Sequence, residues 1–453
     1  MKSLFPLFLH LLVLHAAAAS PTRLLLDFVI GKVRTGAARP WDLTLLPVAS
    51  VTTNQGSKVA DRIAALPGEP VVRANVRQYA GYVAVDQKAG RNFFYYFVEA
   101  REKKNATNVA PLILWINGGP GCSSVGAGAF IEHGRLLVNP GGKTLRLSHH
   151  FWSKLAHVLY VDSPVGTGFS YSDTPSDYLS YSDSSVASDN LNFLVNWLAR
   201  FPEHAGRDLY LAGEGYAGNY LPQLAQIILN HNRARKAPAI KLKGLIMGNP
   251  IMDFEQDRWG VFDNLWSHGM LSQGVIDTIQ KECTNWTTPA GCSAITAVAG
   301  RLVAPLYLFD LTASVCRFKF TPSTKLNVEE HYECAEKDVA AYLSSPDVQK
   351  ALHVNPAKAP KTWVQCNSNV MNSYGDITIS TLPILESLLS NNVSIFIYRQ
   401  QGGYAEEYSN GLLTYATVRG AGHLVAKTKG PELQQMLNLY FSGTLKNTVV
   451  AGM

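Results

Sequence analysis

The chain has 453 residues, of which 47% are hydrophobic and 16% charged, with a formal net charge of +6. That length can bury a large core and allows up to about three domains. The lysines and arginines are scattered, with no basic stripe interleaved with aromatics, so nucleic acid is excluded as an expected partner.

Residues 1–20 read as a signal peptide. Lys2 supplies the positive start, Leu4 to Leu14 a short apolar run, and Ala16 to Ser20 small residues for cleavage. The run is too short to span a bilayer, and no later stretch reaches the roughly 18 apolar residues a span requires. No membrane partner is therefore expected. Residues 21–60 have little periodicity and read as an N-terminal arm. "AGYVAVD" and "NFFYYFVEA", separated by "QKAGR", predict an antiparallel hairpin. "PLILWINGGPG" and "AHVLYVDSPVG" are short apolar runs ending in glycine, which suit strands buried on both faces. Val186, Leu191, Leu194, Val195 and Leu198 fall at helical spacing, as do Tyr220, Leu221, Leu224, Ile227 and Ile228. "RDLYLAGEG" and "IKLKGLIMGNP" read as strands around the second of these helices.

Strands alternating with helices predict an α/β fold: a mostly parallel central sheet covered by helices on both faces. The first part of this core is assigned to residues 61–250. The rhythm fails over 251–370, a stretch holding five of the six cysteines, which reads as an inserted subdomain. It returns over 371–446 with "VSIFIY", "LLTYATVRGAGH" and a last helix, "PELQQMLNLYF". The even cysteine count in an exported chain predicts disulfides and leaves their connectivity open. No Cys-x2-Cys pair occurs, so no metal site is expected. Sequons at Asn105, Asn285 and Asn392 are candidate glycosylation sites.

The stretch "GEGYAG", residues 213–218, has the plan of a nucleophile elbow, G-x-S-x-G, with glycine in place of the serine. Together with "WINGGPGCSS", "VDSPVGTGFSYS", "WSHGMLS" and "TVRGAGHLV", in chain order, it closely resembles the serine carboxypeptidase family, in particular its plant serine carboxypeptidase-like members. The resemblance covers roughly residues 60–446 and implies an α/β-hydrolase fold with an inserted cap. It implies the nucleophile position at Gly215, the catalytic histidine at His423, and oxyanion donors at Gly119 and Tyr216. Asn117, Gly118, Glu132 and Glu214 match positions that bind a substrate's terminal carboxylate. Two close carboxyl groups sharing a proton are suited to that task in acid. The family pattern pairs Cys122–Cys366, Cys283–Cys292 and Cys316–Cys334. It implies no cofactor and a ligand with a free carboxylate, peptide or small acyl compound, and it allows a homodimer. It also implies a vacuolar or extracellular location.

The chain departs from the family twice. Gly215 has no oxygen with which to attack a carbonyl, so no acyl-enzyme can form. After a strand like "SIFIYR" the family carries a Gly-Asp stretch whose Asp orients the histidine. Here Arg399 runs directly into "QQGGYAEEYSNG", as though roughly forty residues and the acid member of the triad were missing. Glu406 and Glu407 fall in a segment that matches the family elsewhere and are not substitutes. The expected protein is a secreted or vacuolar serine carboxypeptidase-like protein, catalytically impaired or inactive, that retains its carboxylate pocket. The alternative is an active serine-type carboxypeptidase or glucose-ester acyltransferase of which this is an incomplete or variant form.

Overall fold

A computed structural model describes residues 56–71, 76–101, 109–234, 239–283, 290–304, 306–311, 313, 316, 334–360, 362–400 and 402–445. The proposed signal peptide, most of the arm, and the sequons at Asn105 and Asn285 lie outside the described residues.

Ten strands form one sheet. In spatial order they are Arg62–Ile63, Gln78–Asp86, Arg91–Val98, His157–Val161, Leu112–Asn117, Leu209–Glu214, Leu242–Gly248, Ser394–Gln400, Leu413–Val418 and Ala405–Tyr408. The predicted hairpin is present, with Gln78 opposite Val98 and Tyr82 opposite Phe94. From His157–Val161 through to Leu413–Val418 every pairing is parallel. The central strands read as unbroken apolar runs because both faces are covered: every residue of Leu112–Asn117 and Leu209–Glu214 is buried.

On one face lie helices Asp183–Arg200, Ala217–Ala234 and Leu382–Ser390, with Leu194, Leu221 and Leu388 in one apolar cluster with the sheet. The first of these starts on a capping box, in which Ser182 Oγ accepts from the Ser185 N–H and Ser185 returns a bond to the Ser182 backbone. The other face packs helices Val125–Glu132, Ala335–Leu343 and Gly430–Phe441 through Phe130, Tyr342 and Leu437. The stretch read as a cap carries helices Phe254–Ser267, Gln273–Glu282 and Ala290–Val303. Phe262, Leu265, Ile279 and Val303 gather there in a smaller apolar cluster.

Three disulfides are formed: Cys122–Cys366, Cys283–Cys292 and Cys316–Cys334, the pairing that the resemblance implied. The segment "GGYAEEY" forms the edge strand Ala405–Tyr408, antiparallel to Leu413–Val418. Glu406 and Glu407 therefore lie at the sheet's rim. Asn392 is exposed, with φ 58°. Among the described residues no helix is long and apolar enough to cross a membrane.

Candidate active site

The parallel register brings the site together. Asn117 and Glu214 end adjacent strands and are register partners, so both side chains reach the same sheet end. After Glu214 the chain turns at Gly215 and enters helix Ala217–Ala234. Gly215 has φ +59°, a left-handed conformation that glycine adopts without strain. Its N–H donates to the Gly248 carbonyl at 3.0 Å and its own carbonyl accepts from the Ile251 N–H at 2.8 Å. The turn is thus fixed by neighbouring backbone and needs no side chain at its apex. The glycine loop presses against it: a β-carbon on Gly118 would lie 2.3 Å from the Tyr216 nitrogen. Only glycine permits that approach.

His423 reaches the apex from the loop after strand Leu413–Val418. Its Nε2 lies 3.3 Å from where a β-carbon on Gly215 would stand. The loop is held by Asn249, whose amide donates to the His423 carbonyl at 2.7 Å, and by a hydrogen bond from the His423 N–H to the Phe309 carbonyl at 2.5 Å. The Phe309 ring stacks on the imidazole with centroids 5.1 Å apart. Burial pulls the imidazole's pKa down to about 4, and the Arg399 guanidinium pushes it the same way. Among the described residues no carboxylate acts on it in the opposite direction.

Behind the glycine loop is a carboxyl pair. The Asn117 side-chain amide donates to Glu214 Oε1 at 2.9 Å and to Glu132 Oε1 at 3.3 Å. Its own oxygen accepts from the Trp115 indole at 2.5 Å, which fixes which way the amide points. The two carboxyls share this one amide, and each acts on the other's titration. Burial, and then the neighbouring Glu132 charge, raise Glu214 well above the usual carboxylate range. Burial raises Glu132 to about 7, opposed by Asn117, by Glu214 and by Lys427. Both shifts favour the neutral carboxyls in acid.

Asn117, Gly118, Gly119, Glu214, Tyr216 and His423 all line one narrow cleft at the turn, with a volume of about 50 Å³. That is room for one carboxylate-sized group. Glu132, expected to join them, does not line it. It stands one layer back, on helix Val125–Glu132, and reaches the cleft only through Asn117 and Glu214. Cys122 and Cys366 form part of the wall, so one disulfide ties the glycine loop to the last residues of the 251–370 stretch.

Several contributors were not legible in the sequence. Trp115 orients Asn117, and the pattern W-x-N in "WINGG" could have raised it. Asp162, in "VDSPVG", accepts from Ser123 Oγ at 2.7 Å and from the Val125 N–H at 3.2 Å, anchoring the helix that carries Glu132. Burial lifts its pKa to about 6. Phe309 and Glu336 also line the cleft, and no local pattern marks either.

A second, larger cavity of about 400 Å³ also borders His423 and Phe309, and is bounded by Leu308, Arg399 and residues of the 249–265 stretch, among them Asn249, Phe254 and Arg258. Among the described residues, Glu99, Glu203 and His204 are grouped as a metal site would require. Glu99 is paired with Arg77 and Glu203 with Lys58, and none of the three lines either cavity.

Residues 67–401 and 398–443 match the family described as serine carboxypeptidase. The match falls in two stretches that meet at the Arg399–Gln400 junction. Serine carboxypeptidase-like 40 of Arabidopsis thaliana is 37% identical over 426 residues, 85% of this chain and 83% of the relative. Serine carboxypeptidase-like 28 of the same plant is 36% identical over 440 residues, 88% of this chain and 94% of the relative. Among solved structures, a prohormone-processing carboxypeptidase from Saccharomyces cerevisiae superposes with a TM-score of 0.72 at 21% identity, covering 86% of this chain and 97% of that one. The likeness to that structure establishes the α/β-hydrolase fold.

Proposed function

The chain belongs to the serine carboxypeptidase family, and from that premise we propose that it is a catalytically impaired or inactive member retaining a pocket for a terminal carboxylate. The observation that carries the proposal is the relation of Gly215 to His423. The imidazole stands within 3.3 Å of the point where a side chain would begin, and there is no side chain for it to activate. Losing a triad nucleophile costs on the order of 10⁶ in kcat. At about 1.4 kcal/mol per factor of ten, that is roughly 8 kcal/mol of transition-state stabilisation. The acid that would orient His423 is missing too, but triad losses overlap, so its absence adds little.

What remains can bind. A carboxylate entering the cleft meets the Glu214 carboxyl, neutral in acid, beside backbone donors of the Gly118–Gly119 loop. A neutral carboxyl donates a hydrogen bond to a carboxylate; an ionised one repels it. Peptides with a free C-terminus, or small acids of similar shape, are the proposed ligands. The three disulfides and the leader-like residues 1–20 support passage through the secretory pathway to the vacuole or cell exterior.

Calorimetry at about pH 5 with a peptide and its C-terminally amidated twin tests the proposal. Binding that requires the free carboxylate supports it, and equal or absent binding of both rejects it. A second reading is favoured by the two-part family match: an active carboxypeptidase or glucose-ester acyltransferase of which this is a shortened form. Sequencing the transcript across Tyr398 to Tyr404 tests it; an Asp-bearing segment there would support it. Such a segment would still leave Gly215 without a hydroxyl.

A further inference from the structure

Tyr216 lines the cleft, and its buried side chain ends on another carboxyl. The Tyr216 hydroxyl donates to Asp183 Oδ1 at 2.9 Å. Asp183 is itself buried and is the first residue of helix Asp183–Arg200. Its other oxygen accepts from the Thr378 N–H at 2.6 Å. Gln223, on helix Ala217–Ala234, donates to the Thr378 hydroxyl at 3.1 Å and completes the group. Burial raises the Asp183 pKa, and the bonds from Thr378, Tyr216 and Gln223 oppose that rise. A carboxylate in the first turn of a helix ordinarily answers to the helix dipole. That reading leaves the direction of these bonds unexplained. One oxygen is bonded by the residue after the Gly215 turn, and the other by the segment after strand Tyr374–Asp376. A buried carboxylate bonded in this way is a strong and directional anchor. The rest of Tyr216 is equally fixed. Its ring is boxed by Tyr220, Tyr374 and Phe254, at centroid distances of 5.0, 5.6 and 6.0 Å. Its carbonyl accepts from the Asn219 N–H at 2.9 Å as the helix begins.

We propose that Asp183 is a positioning residue for the cleft: by holding the Tyr216 hydroxyl it sets the Tyr216 backbone N–H toward an oxyanion on a bound ligand. The inference rests on the proposed reading of the cleft as a ligand site with Tyr216 as an oxyanion donor. It deepens that reading by naming a ligand class, a carboxylic acid that also carries a tetrahedral oxyanion at the Gly215 turn. The turn has space for such a group. Among the described residues, a β-carbon on Gly215 would meet only the His423 ring, at 3.3 Å. A preorganised donor is worth most when its position is fixed before the ligand arrives. A chain that keeps the anchor and lacks the serine therefore retains its grip on a ready-made tetrahedral anion.

Calorimetry of the full chain at about pH 5 tests the proposal. The ligands are a short peptide with a free or an amidated C-terminus, and the same pair with the last amide replaced by a phosphinate. In the native chain the phosphinates are expected to bind at least about tenfold tighter than the amides. Asp183→Asn keeps the size of the side chain and removes its charge. It should bring phosphinate and amide affinities to within about threefold, and leave the contrast between free and amidated C-termini in place. Tyr216→Phe removes only the hydroxyl, should lose the phosphinate preference likewise, and guards against misfolding of the Asp183 variant. The double variant should lose no more than either single one, because both break the same bond. A phosphinate preference that is absent from the native chain or undiminished in either variant would overturn the assignment. So would equal losses for phosphinates and amides, or additive losses in the double variant. The carboxylate pocket is read separately, by the contrast between free and amidated C-termini. If that contrast is missing while both variants abolish a phosphinate preference, the pocket reading falls and the role of Asp183 stands.

Discussion

The Nε2 atom of His423 stands 3.3 Å from the vacant β-carbon position of Gly215. The geometry of attack survives in a chain without an attacking atom. That relation separates two properties that normally travel together in a hydrolase: a shaped pocket and a reactive one.

Restoring the hydroxyl should not restore the enzyme. Gly215→Ser puts a side chain at φ +59°, for which a cost of about 1–3 kcal/mol is expected. The variant should fold, unfold at slightly lower denaturant, and show at most a trace of acid peptidase activity. His423, with Arg399 opposing its protonation and no carboxylate among the described residues raising its pKa, is a poor base for the new serine. Turnover approaching that of an intact family member would show that the orienting acid is dispensable here.

Glu132 carries a definite pH signature. Its carboxyl is raised from an ordinary 4.5 to about 7. The folded chain thus holds a proton that the unfolded chain has lost. The resulting stability is fully present below about pH 4.5 and disappears as pH rises through about 7. Glu132→Gln mimics the protonated form and removes this dependence. Relative to the variant, the native chain should lose on the order of 3 kcal/mol between those limits. Denaturant curves at several pH values check it; parallel profiles would contradict it.

Asn117→Ala strips the amide that bonds Glu214, Glu132 and Trp115 at once. The expected cost is about 2–4 kcal/mol of stability, from buried polar groups left without their partner. Affinity for a free-carboxylate peptide should fall about tenfold or more, with no change toward the amidated peptide. Calorimetry with both peptides separates lost recognition from general loosening.

The Phe309 ring lines the cleft, stacked on His423 with centroids 5.1 Å apart. A space of about 50 Å³ admits a carboxylate but not the residue that bears it. Phe309→Ala should cost about 0.5–1.5 kcal/mol in lost stacking and raise peptide affinity severalfold by opening that space. Unchanged affinity would mean that the ring does not limit entry.

How much of this was visible in the sequence follows from which interactions are local. Alternating apolar runs and helical spacing marked the parallel sheet and its flanking helices, because a strand buried on both faces has to be apolar throughout. The turn at Gly215 was legible because a strand, a glycine and a helix start are contiguous in the chain. The carboxyl pair was only half legible. Glu132 and Glu214 were both named, but Glu132 sits behind the cleft wall, a placement set by how helix Val125–Glu132 packs on strand Leu112–Asn117. Phe309 and Glu336 were invisible, since they meet His423 and Glu214 only after the intervening segments fold over the sheet end. The cavity lined by Arg258 and Arg399 was equally hidden: those residues are 141 positions apart, and no periodicity links them.

On the proposed reading, the cleft binds but cannot be acylated. Incubating the native protein with a fluorophosphonate probe at mildly acidic pH, followed by intact mass measurement and peptide mapping, tests it most directly. An unchanged mass is expected. A stoichiometric adduct mapped to any side chain lining the cleft at Gly215 would contradict it.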